Sequence, residues 1–84
     1  MYQIYILLCS DNLFYTGFTN DLKRRINQHK NGEVQYTKNK RPIKLVYKEK
    51  CKTKETAMQR EKQIKGWSKQ KKINLIKFGH PTKS

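Results

Sequence analysis

The stretch FYTGFTNDLKRRINQH, residues 14–29, passes from a strand-like pattern into a helix-like one. Its first part is aromatic and is interrupted by Gly17, whereas its second part repeats apolar residues at helical spacing. With about 100° between successive helical residues, one helix face carries a mixed set: Leu22, Arg25, Ile26 and His29. An arginine and a histidine four positions apart therefore lie on the face that should pack on a sheet, and this arrangement needs an explanation.

Two strands precede that helix. The stretch YQIYILLC, residues 2–9, is apolar and alternates between two faces, and LFYTGF, residues 13–18, has the composition of its partner strand. The polar residues between them, SDN at 10–12, predict a tight turn. Together these residues predict a β-hairpin.

A turn of three residues would set the register of this hairpin. Tyr5 would then lie opposite Gly17 and Leu7 opposite Tyr15, which makes the two tyrosines diagonal neighbours on one face of the sheet. A glycine opposite a tyrosine leaves space beside the hydroxyl group, where a ligand can approach.

The rest of the chain predicts one more strand and three helices. Capping residues and periodicity give their ranges: 21–30 for the first helix, 43–49 for the strand, 54–65 after the cap Thr53 for the second helix, and Ser68 to about Gly79 for the third.

The order of these elements indicates the fold class. Alternation in the third strand places Leu45 and Tyr47 on its buried face and Val46 on a wet face. The order β-β-α-β-α-α predicts an α+β fold, with a small three-stranded antiparallel β-sheet flanked by about three α-helices. The 84 residues are expected to form one domain, residues 1–80, followed by a short tail, residues 81–84.

The chain is strongly basic, and the charge is unevenly placed. It has 20 Lys and Arg residues against 6 Asp and Glu residues, for a formal net charge of +14, and every basic residue lies after residue 19. A compact body with this charge repels itself, so the expected partner is a polyanion, and nucleic acid fits best. The alternative is a generically basic, solvated surface. A membrane partner is disfavoured because the lysines are spread over several elements.

Cysteines and hydrophobic runs indicate where such a protein would reside. Cys9 and Cys51 form neither a CxxC pair nor a zinc-ligand spacing, so we expect reduced thiols. The chain does not start with a basic and then apolar segment, and no apolar run approaches the roughly 20 residues of a membrane span. We therefore expect a soluble, cytoplasmic protein.

Two charged residues lie on helix faces that should be apolar. Glu61 shares a stripe of the second helix with Ala57 and Ile64, and Arg25 presents the same conflict in the first helix. They can form a buried ion pair, or each can extend to water. In the functional alternative, both surround one cleft with the tyrosine pair, where they would position a phosphodiester, hold a divalent metal and activate water.

Short motifs occur in order along nearly the whole chain, with Arg25 ten residues after Tyr15. They are IYI at 4–6, YTG at 15–17, Thr19, LKRRINQH at 22–29 and AMQRE at 57–61. This set resembles the GIY-YIG nuclease domain. Two longer stretches, 36–49 and 60–76, resemble its small, single-domain bacterial branch.

The resemblance implies roles for four residues. Tyr5 would deprotonate the attacking water, directly or through neighbours such as Tyr15. A free tyrosine has a pKa of about 10, so it would need nearby positive charge or that neighbour to act as a base near neutral pH. Arg25 would hold the scissile phosphate and stabilise the charge of the transition state. Glu61 would bind a single Mg²⁺ or Mn²⁺ ion.

Other motif positions are implied to assist or to differ. His29 would lie near the phosphate or bond to a tyrosine, although it can also simply pack, and Gly17 would allow close backbone approach. Asn74 matches a supporting asparagine of some relatives. Gln3 replaces the first glycine of the family motif and Thr16 the middle residue of the second motif, but neither position supplies the chemistry.

Several residues are candidates for contacting nucleic acid. Lysines at a helix start are electrostatically unfavourable unless an anion is nearby, which makes the start of the third helix a candidate phosphate-backbone contact. The candidate lysines are Lys38, Lys69, Lys71 and Lys72. Tyr36 either packs in a loop or contacts a phosphate backbone together with Thr37 and Lys38. Trp67 is interpreted as a core anchor, with a base-stacking platform as the alternative.

The resemblance implies a divalent-metal-dependent nuclease that hydrolyses DNA, with DNA favoured over RNA and with structured or branched DNA in repair or recombination as the setting. The alternative is a non-catalytic nucleic-acid-binding module with a vestigial site, and the charge also permits an RNA- or ribosome-associated function. Because the chain has no room for a recognition domain, specificity would come from DNA shape, a protein partner or a homodimer.

Overall fold

The central strand of the sheet is apolar on both of its faces. The computed structural model describes residues 1–79, so the predicted tail lies outside the described residues. The three strands are β1 (Tyr2–Leu8), β2 (Phe14–Thr19) and β3 (Lys44–Cys51). All pairings are antiparallel and the order across the sheet is β2-β1-β3, so β1 is covered on both edges.

The helices confirm the predicted α+β class and element order. They are α1 (Leu22–Lys30), α2 (Lys54–Lys65) and α3 (Lys69–Phe78), with a short 3₁₀ turn at Lys38–Lys40. Within residues 1–79, none of the helices combines the length and the apolar character needed to cross a bilayer.

Each helix begins at a side chain that accepts a hydrogen bond from its first turn. Asp21 accepts from the Arg24 N–H at 3.1 Å, and Thr53 and Ser68 cap α2 and α3 in the same way, as predicted. Gly79 ends α3 with a φ of 77°, a left-handed conformation that favours glycine.

The sheet separates two apolar layers. Ile4 and Ile6 of β1 point toward α2 and α3, where they meet Ala57, Ile64 and Leu75, all of them fully buried. The partly buried Trp67 packs against this layer, which confirms it as a core anchor.

The alternate residues of β1 form the second layer. Tyr5 and Leu7, with Cys9 just after the strand, point to the opposite face, where Leu22 and Ile26 of α1 cover them. The helix that contains Arg25 and His29 is therefore the cover of the layer that contains Tyr5.

The hairpin register agrees with the prediction. Tyr5 pairs with Gly17 and Leu7 pairs with Tyr15 across the three-residue turn. Asn12 in that turn has a φ of 68°, which the short side chain of asparagine tolerates.

Strand β3 departs from the predicted alternation. Its register against β1 shifts between Ile6 and Leu7, which leaves Val46 as one extra residue, a β-bulge. As a result Leu45 joins the layer of Tyr5, while both Val46 and Tyr47 pack in the layer of α2 and α3. The prediction that Val46 faces water and that Tyr47 shares the face of Leu45 was wrong, because a bulge interrupts the period of two.

A charged pair ties α2 to β3. The Arg60 guanidinium donates to both oxygens of Glu49, at 2.9 and 3.2 Å, and it also lies 5.2 Å from the centre of the Trp67 ring. The Tyr47 hydroxyl donates to the same carboxylate. These contacts, together with the apolar layer, fix the position of the helix that contains Glu61.

The packing of Ile64 makes it a test of the layer under α2. Replacing this fully buried side chain by alanine should lower the free energy of unfolding by about 2–5 kcal/mol, because the cavity left behind closes only in part. Urea titration would measure the loss. The control is Met58→Ala on the same helix, where the side chain is 49% exposed and little loss is expected. Equal losses in the two variants would contradict this packing.

Candidate active site

The hydroxyl group of Tyr5 lies at the centre of the candidate site. The Tyr5 side chain is 1% exposed, and its ring centre lies 6.3 Å from that of Tyr15. Opposite it, a Cβ atom on Gly17 would lie 2.6 Å from the Tyr5 oxygen, which is closer than real contacts allow. The space above the glycine is thus filled by the Tyr5 hydroxyl itself and not by open solvent.

Helix α1 brings an arginine and a histidine to that same oxygen. The Nε2 atom of His29 lies 3.0 Å from the Tyr5 hydroxyl oxygen, and the Nε–H of Arg25 donates to it at 3.4 Å. The Arg25 Nη1 group also donates to Gln28, at 3.0 Å. The four-residue spacing is explained because both side chains point from one helix face onto one phenol. Of the three interpretations of His29, the structure shows the bond to a tyrosine.

A threonine from the loop after α1 completes the contacts of the histidine. The Oγ1 atom of Thr37 lies 2.7 Å from the His29 Nδ1 atom, and both residues are fully buried. Thr37 is therefore not available to a nucleic-acid backbone, contrary to one of the sequence interpretations. Thr37 was not identified as a partner of His29, because no periodicity relates a loop residue to its tertiary partner. Gln28 was also not identified, although it lies on α1 only three residues after Arg25.

Burial dominates the electrostatics of the site. It raises the pKa of Tyr5 to about 12, and the hydrogen bond from Arg25 offsets this only in part. Burial, with the positive charge of Arg25, lowers the pKa of His29 to about 4. The expected lowering of the phenol pKa by nearby positive charge is therefore outweighed. At neutral pH the pair consists of a neutral phenol and a neutral imidazole.

Glu61 lies on α2, which packs on the other face of the sheet, and it lines a different cavity from Arg25. Its negative charge contributes to the raised pKa of Tyr5, so it lies within electrostatic range of the phenol. Its side chain is 21% exposed and its carboxylate lies 3.5 Å from the Lys65 ammonium. A buried ion pair between Arg25 and Glu61 is thus not what the described residues show.

Glu61 offers a divalent ion a single carboxylate, with the Lys65 ammonium 3.5 Å away. Mg²⁺ is commonly bound through one or two carboxylates while it keeps several water ligands and contacts substrate phosphates. Glu61 provides one partly exposed carboxylate, at the wall of a cavity of about 350 Å³ that Glu55, Met58, Gln59 and Lys62 also line. Among residues 1–79 there is no group of three His, Cys, Asp or Glu side chains that would hold a metal alone.

Arg25 and Tyr15, which are partly exposed, connect the site to the surface. A cavity of about 230 Å³ at the start of α1 is lined by Arg25, Gln28 and residues 18–21 and 24. On the other side, the Tyr15 ring lies 5.2 Å from Tyr36, which is 55% exposed and has the Lys40 ammonium 4.2 Å from its ring centre.

The lysines singled out in the sequence lie in two places. Lys38 is exposed and directly follows Thr37, on the side of the candidate site. The other three, Lys69, Lys71 and Lys72, begin α3, which packs on the opposite face of the sheet. Lys69 donates to the Asn12 carbonyl in the hairpin turn at 3.0 Å, and Asn74 accepts from Gln70 within α3.

The buried His29 should make the stability of the fold depend on pH. Its pKa is lower in the folded chain than the ordinary 6.5, so the unfolded chain binds the proton more readily. Stability is then fully present above about pH 6.5 and is lost as the pH falls toward about 4. Urea titrations at about pH 7 and about pH 5 should differ by about 2 kcal/mol. A His29→Gln variant should show a much smaller difference, and equal differences would count against the buried neutral ring.

The contact between Gly17 and Tyr5 predicts a sensitive position. Gly17→Ala should displace the phenol from its hydrogen bonds and lower the free energy of unfolding by about 1–3 kcal/mol. Gly66→Ala is the matched control, because a Cβ there meets only ordinary contacts at 3.5 Å or more. Urea unfolding would compare the two, and a Gly17→Ala chain as stable as the control would refute the close approach.

Comparisons with known proteins show which family has this sequence. The family model described as "GIY-YIG catalytic domain" matches residues 1–74. UPF0213 protein SSP2268 of Staphylococcus saprophyticus is 47% identical over 79 residues, covering 93% of this chain and 96% of that protein. A UPF0213 protein of Staphylococcus aureus is 45% identical over 75 residues, covering 88% of this chain and 92% of that protein.

Two solution NMR structures are similar in both sequence and fold. UPF0213 protein BH0048 from Bacillus halodurans is 40% identical with a TM-score of 0.59, over 90% of this chain and 83% of that one. Protein EF2693 from E. faecalis is 29% identical with a TM-score of 0.65, over 99% of this chain and 90% of that one. The resemblance found in the motifs is confirmed, and the chain belongs to the GIY-YIG catalytic-domain family of the nuclease superfamily.

Proposed function

We propose that this protein is a divalent-metal-dependent nuclease that hydrolyses phosphodiester bonds in DNA. The observation that carries the proposal is the convergence of Arg25 and His29 on the Tyr5 oxygen, within a GIY-YIG domain. The Tyr15 ring lies beside the Tyr5 ring. The negative charge of Glu61, on α2, contributes to the raised pKa of Tyr5.

Tyr5 and His29 supply the base in this proposal. The attacking water gives its proton to the Tyr5 oxygen as the phenol gives its own proton to the Nε2 atom of His29, 3.0 Å away. This transfer requires no free phenolate, which is consistent with the raised pKa of Tyr5. The negative charge of a bound phosphodiester favours the protonated imidazole and so helps the histidine to accept the proton.

Arg25 binds the phosphate. A guanidinium has five N–H donors, and Tyr5 and Gln28 receive only two of them. The remaining donors can face the cavity at the start of α1. A charged donor held there by two hydrogen bonds stabilises the negative charge that builds up on the phosphate in the transition state.

Glu61 is the residue that would hold Mg²⁺ or Mn²⁺. When bound, such an ion stabilises negative charge on phosphoryl oxygens and on the leaving oxygen. The partly exposed carboxylate, with a cavity beside it, supports this role.

The class of substrate is inferred from the net charge of the chain. The net charge of +14 favours nucleic acid over neutral or cationic substrates. Lys38 would contact the backbone beside the site, whereas Lys69, Lys71 and Lys72 would bind a segment that wraps to the other face. Structured or branched DNA, with a protein partner or a second copy providing specificity, is the expected setting.

A cleavage assay with matched variants tests the proposal. Purified protein is incubated with plasmid, branched DNA and RNA, with Mg²⁺ or Mn²⁺ and with a chelator. Glu61→Gln and Arg25→Ala should each reduce cleavage by about 100-fold or more, since each removes a group that stabilises transition-state charge. Glu33→Gln, an exposed carboxylate in the loop after α1, should cleave like the wild type.

Three outcomes would contradict the proposal. Equal cleavage by the wild type and Glu61→Gln would identify a contaminating nuclease. DNA binding without cleavage under every metal condition would favour the non-catalytic binding module. Cleavage of RNA alone would replace DNA as the substrate.

A further inference from the structure

We propose that Thr37 is a positioning residue: its hydroxyl group holds the proton of His29 on Nδ1 and thereby leaves Nε2 free to accept the proton of Tyr5. The catalytic use of this arrangement rests on the proposed nuclease function. The tautomer itself rests only on the contacts of the histidine, and it can be tested separately.

The backbone around Thr37 fixes its side chain. The Thr37 N–H donates to the Val34 carbonyl at 3.2 Å, and the N–H groups of Lys38 and Lys40 close two further turns around it. Thr37 is fully buried although both of its neighbours in the chain are exposed. A single polar side chain is thus turned inward from an otherwise exposed segment, and it meets the imidazole at 2.7 Å.

The hydrogen bonds of Tyr5 indicate which nitrogen of the ring carries the proton. A neutral imidazole has one N–H donor and one acceptor, and both His29 nitrogens face a hydroxyl group. The Tyr5 oxygen already accepts the Nε–H of Arg25. A second N–H from His29 would leave the phenolic hydrogen without an acceptor among the described residues, at a side chain that is 1% exposed.

The opposite tautomer satisfies the phenol. With the proton on Nδ1, His29 donates to the Thr37 oxygen, and the phenolic hydrogen of Tyr5 donates to Nε2. The Thr37 hydroxyl hydrogen rotates freely about its C–O bond, so it can turn away from a donating imidazole, whereas a phenolic hydrogen stays near the plane of its ring. The donors therefore run in one direction, from Arg25 to Tyr5, to His29 and to Thr37.

This direction is the one that the reaction needs. As the water oxygen bonds to phosphorus, its proton passes to Tyr5 and the Tyr5 proton passes to Nε2. The leaving oxygen departs with the electrons of the broken P–O bond and takes a proton from solvent. The imidazolium that forms keeps Nδ1–H bonded to Thr37. With the proton on Nε2 beforehand, the ring would have no lone pair facing the phenol, and this transfer would stop.

The tautomer can be measured directly by NMR. In ¹⁵N-labelled protein at neutral pH, two-bond proton–nitrogen correlations of the imidazole separate a protonated from an unprotonated ring nitrogen. The wild type and Thr37→Ser should both show protonated Nδ1 and unprotonated Nε2. Thr37→Val, which has the same shape but no hydroxyl, should move the proton to Nε2 in a large fraction of molecules. A wild-type ring protonated on Nε2, or a Val variant identical to wild type, would overturn the inference.

Cleavage kinetics then connect the tautomer to the reaction. Thr37→Val should lower kcat by about tenfold or more with little change in KM, and Thr37→Ser should restore most of the rate. A wild type that does not cleave but shows the expected tautomer shift would refute only the proposed function. A wild type that cleaves, with a Val variant equally fast, would refute the role of Thr37. If the Val variant does not fold, the wild-type tautomer and the Ser variant still decide.

Discussion

One buried oxygen atom organises the candidate site. The Tyr5 hydroxyl receives Arg25, meets His29 and fills the space that Gly17 leaves open, so residues from β1, β2 and α1 are held relative to one another through a single group. A buried phenol needs hydrogen-bond partners, and here those partners are the residues that the chemistry would use. The contacts that stabilise the buried phenol are therefore the same contacts that the proposed catalysis would use.

The residues of the candidate site lie on both faces of the sheet. Tyr5, Arg25 and His29 occupy the layer under α1, whereas Glu61 belongs to α2 in the other layer. The separation keeps the carboxylate apart from the guanidinium, so neither neutralises the other. The ion pair between Arg60 and Glu49 holds α2 against β3. The guanidinium and the carboxylate, which would attract each other, are thereby held apart, as the proposed binding of a phosphate and a metal ion requires.

Local rules predicted much of the fold and part of the site. The length of the turn gave the pairing of Tyr5 with Gly17, and helical periodicity placed Arg25 and His29 on one face. The motifs gave the family. The raised pKa of Tyr5 could not be predicted, because it depends on how deeply tertiary packing buries the ring. The contact between Thr37 and His29 could not be predicted for a related reason, because it depends on the conformation of a loop without periodicity.

The β-bulge in β3 was the clearest failure of a periodic rule, and it has a consequence for how such a chain can evolve. Because Val46 is one residue more than the neighbouring strand requires, Leu45 and Tyr47 reach different layers. Loss of the Val46 codon would restore the regular alternation and leave Leu45 and Tyr47 in their present layers, so the length of this strand can change by one residue at the bulge without exchanging the layers of its neighbours.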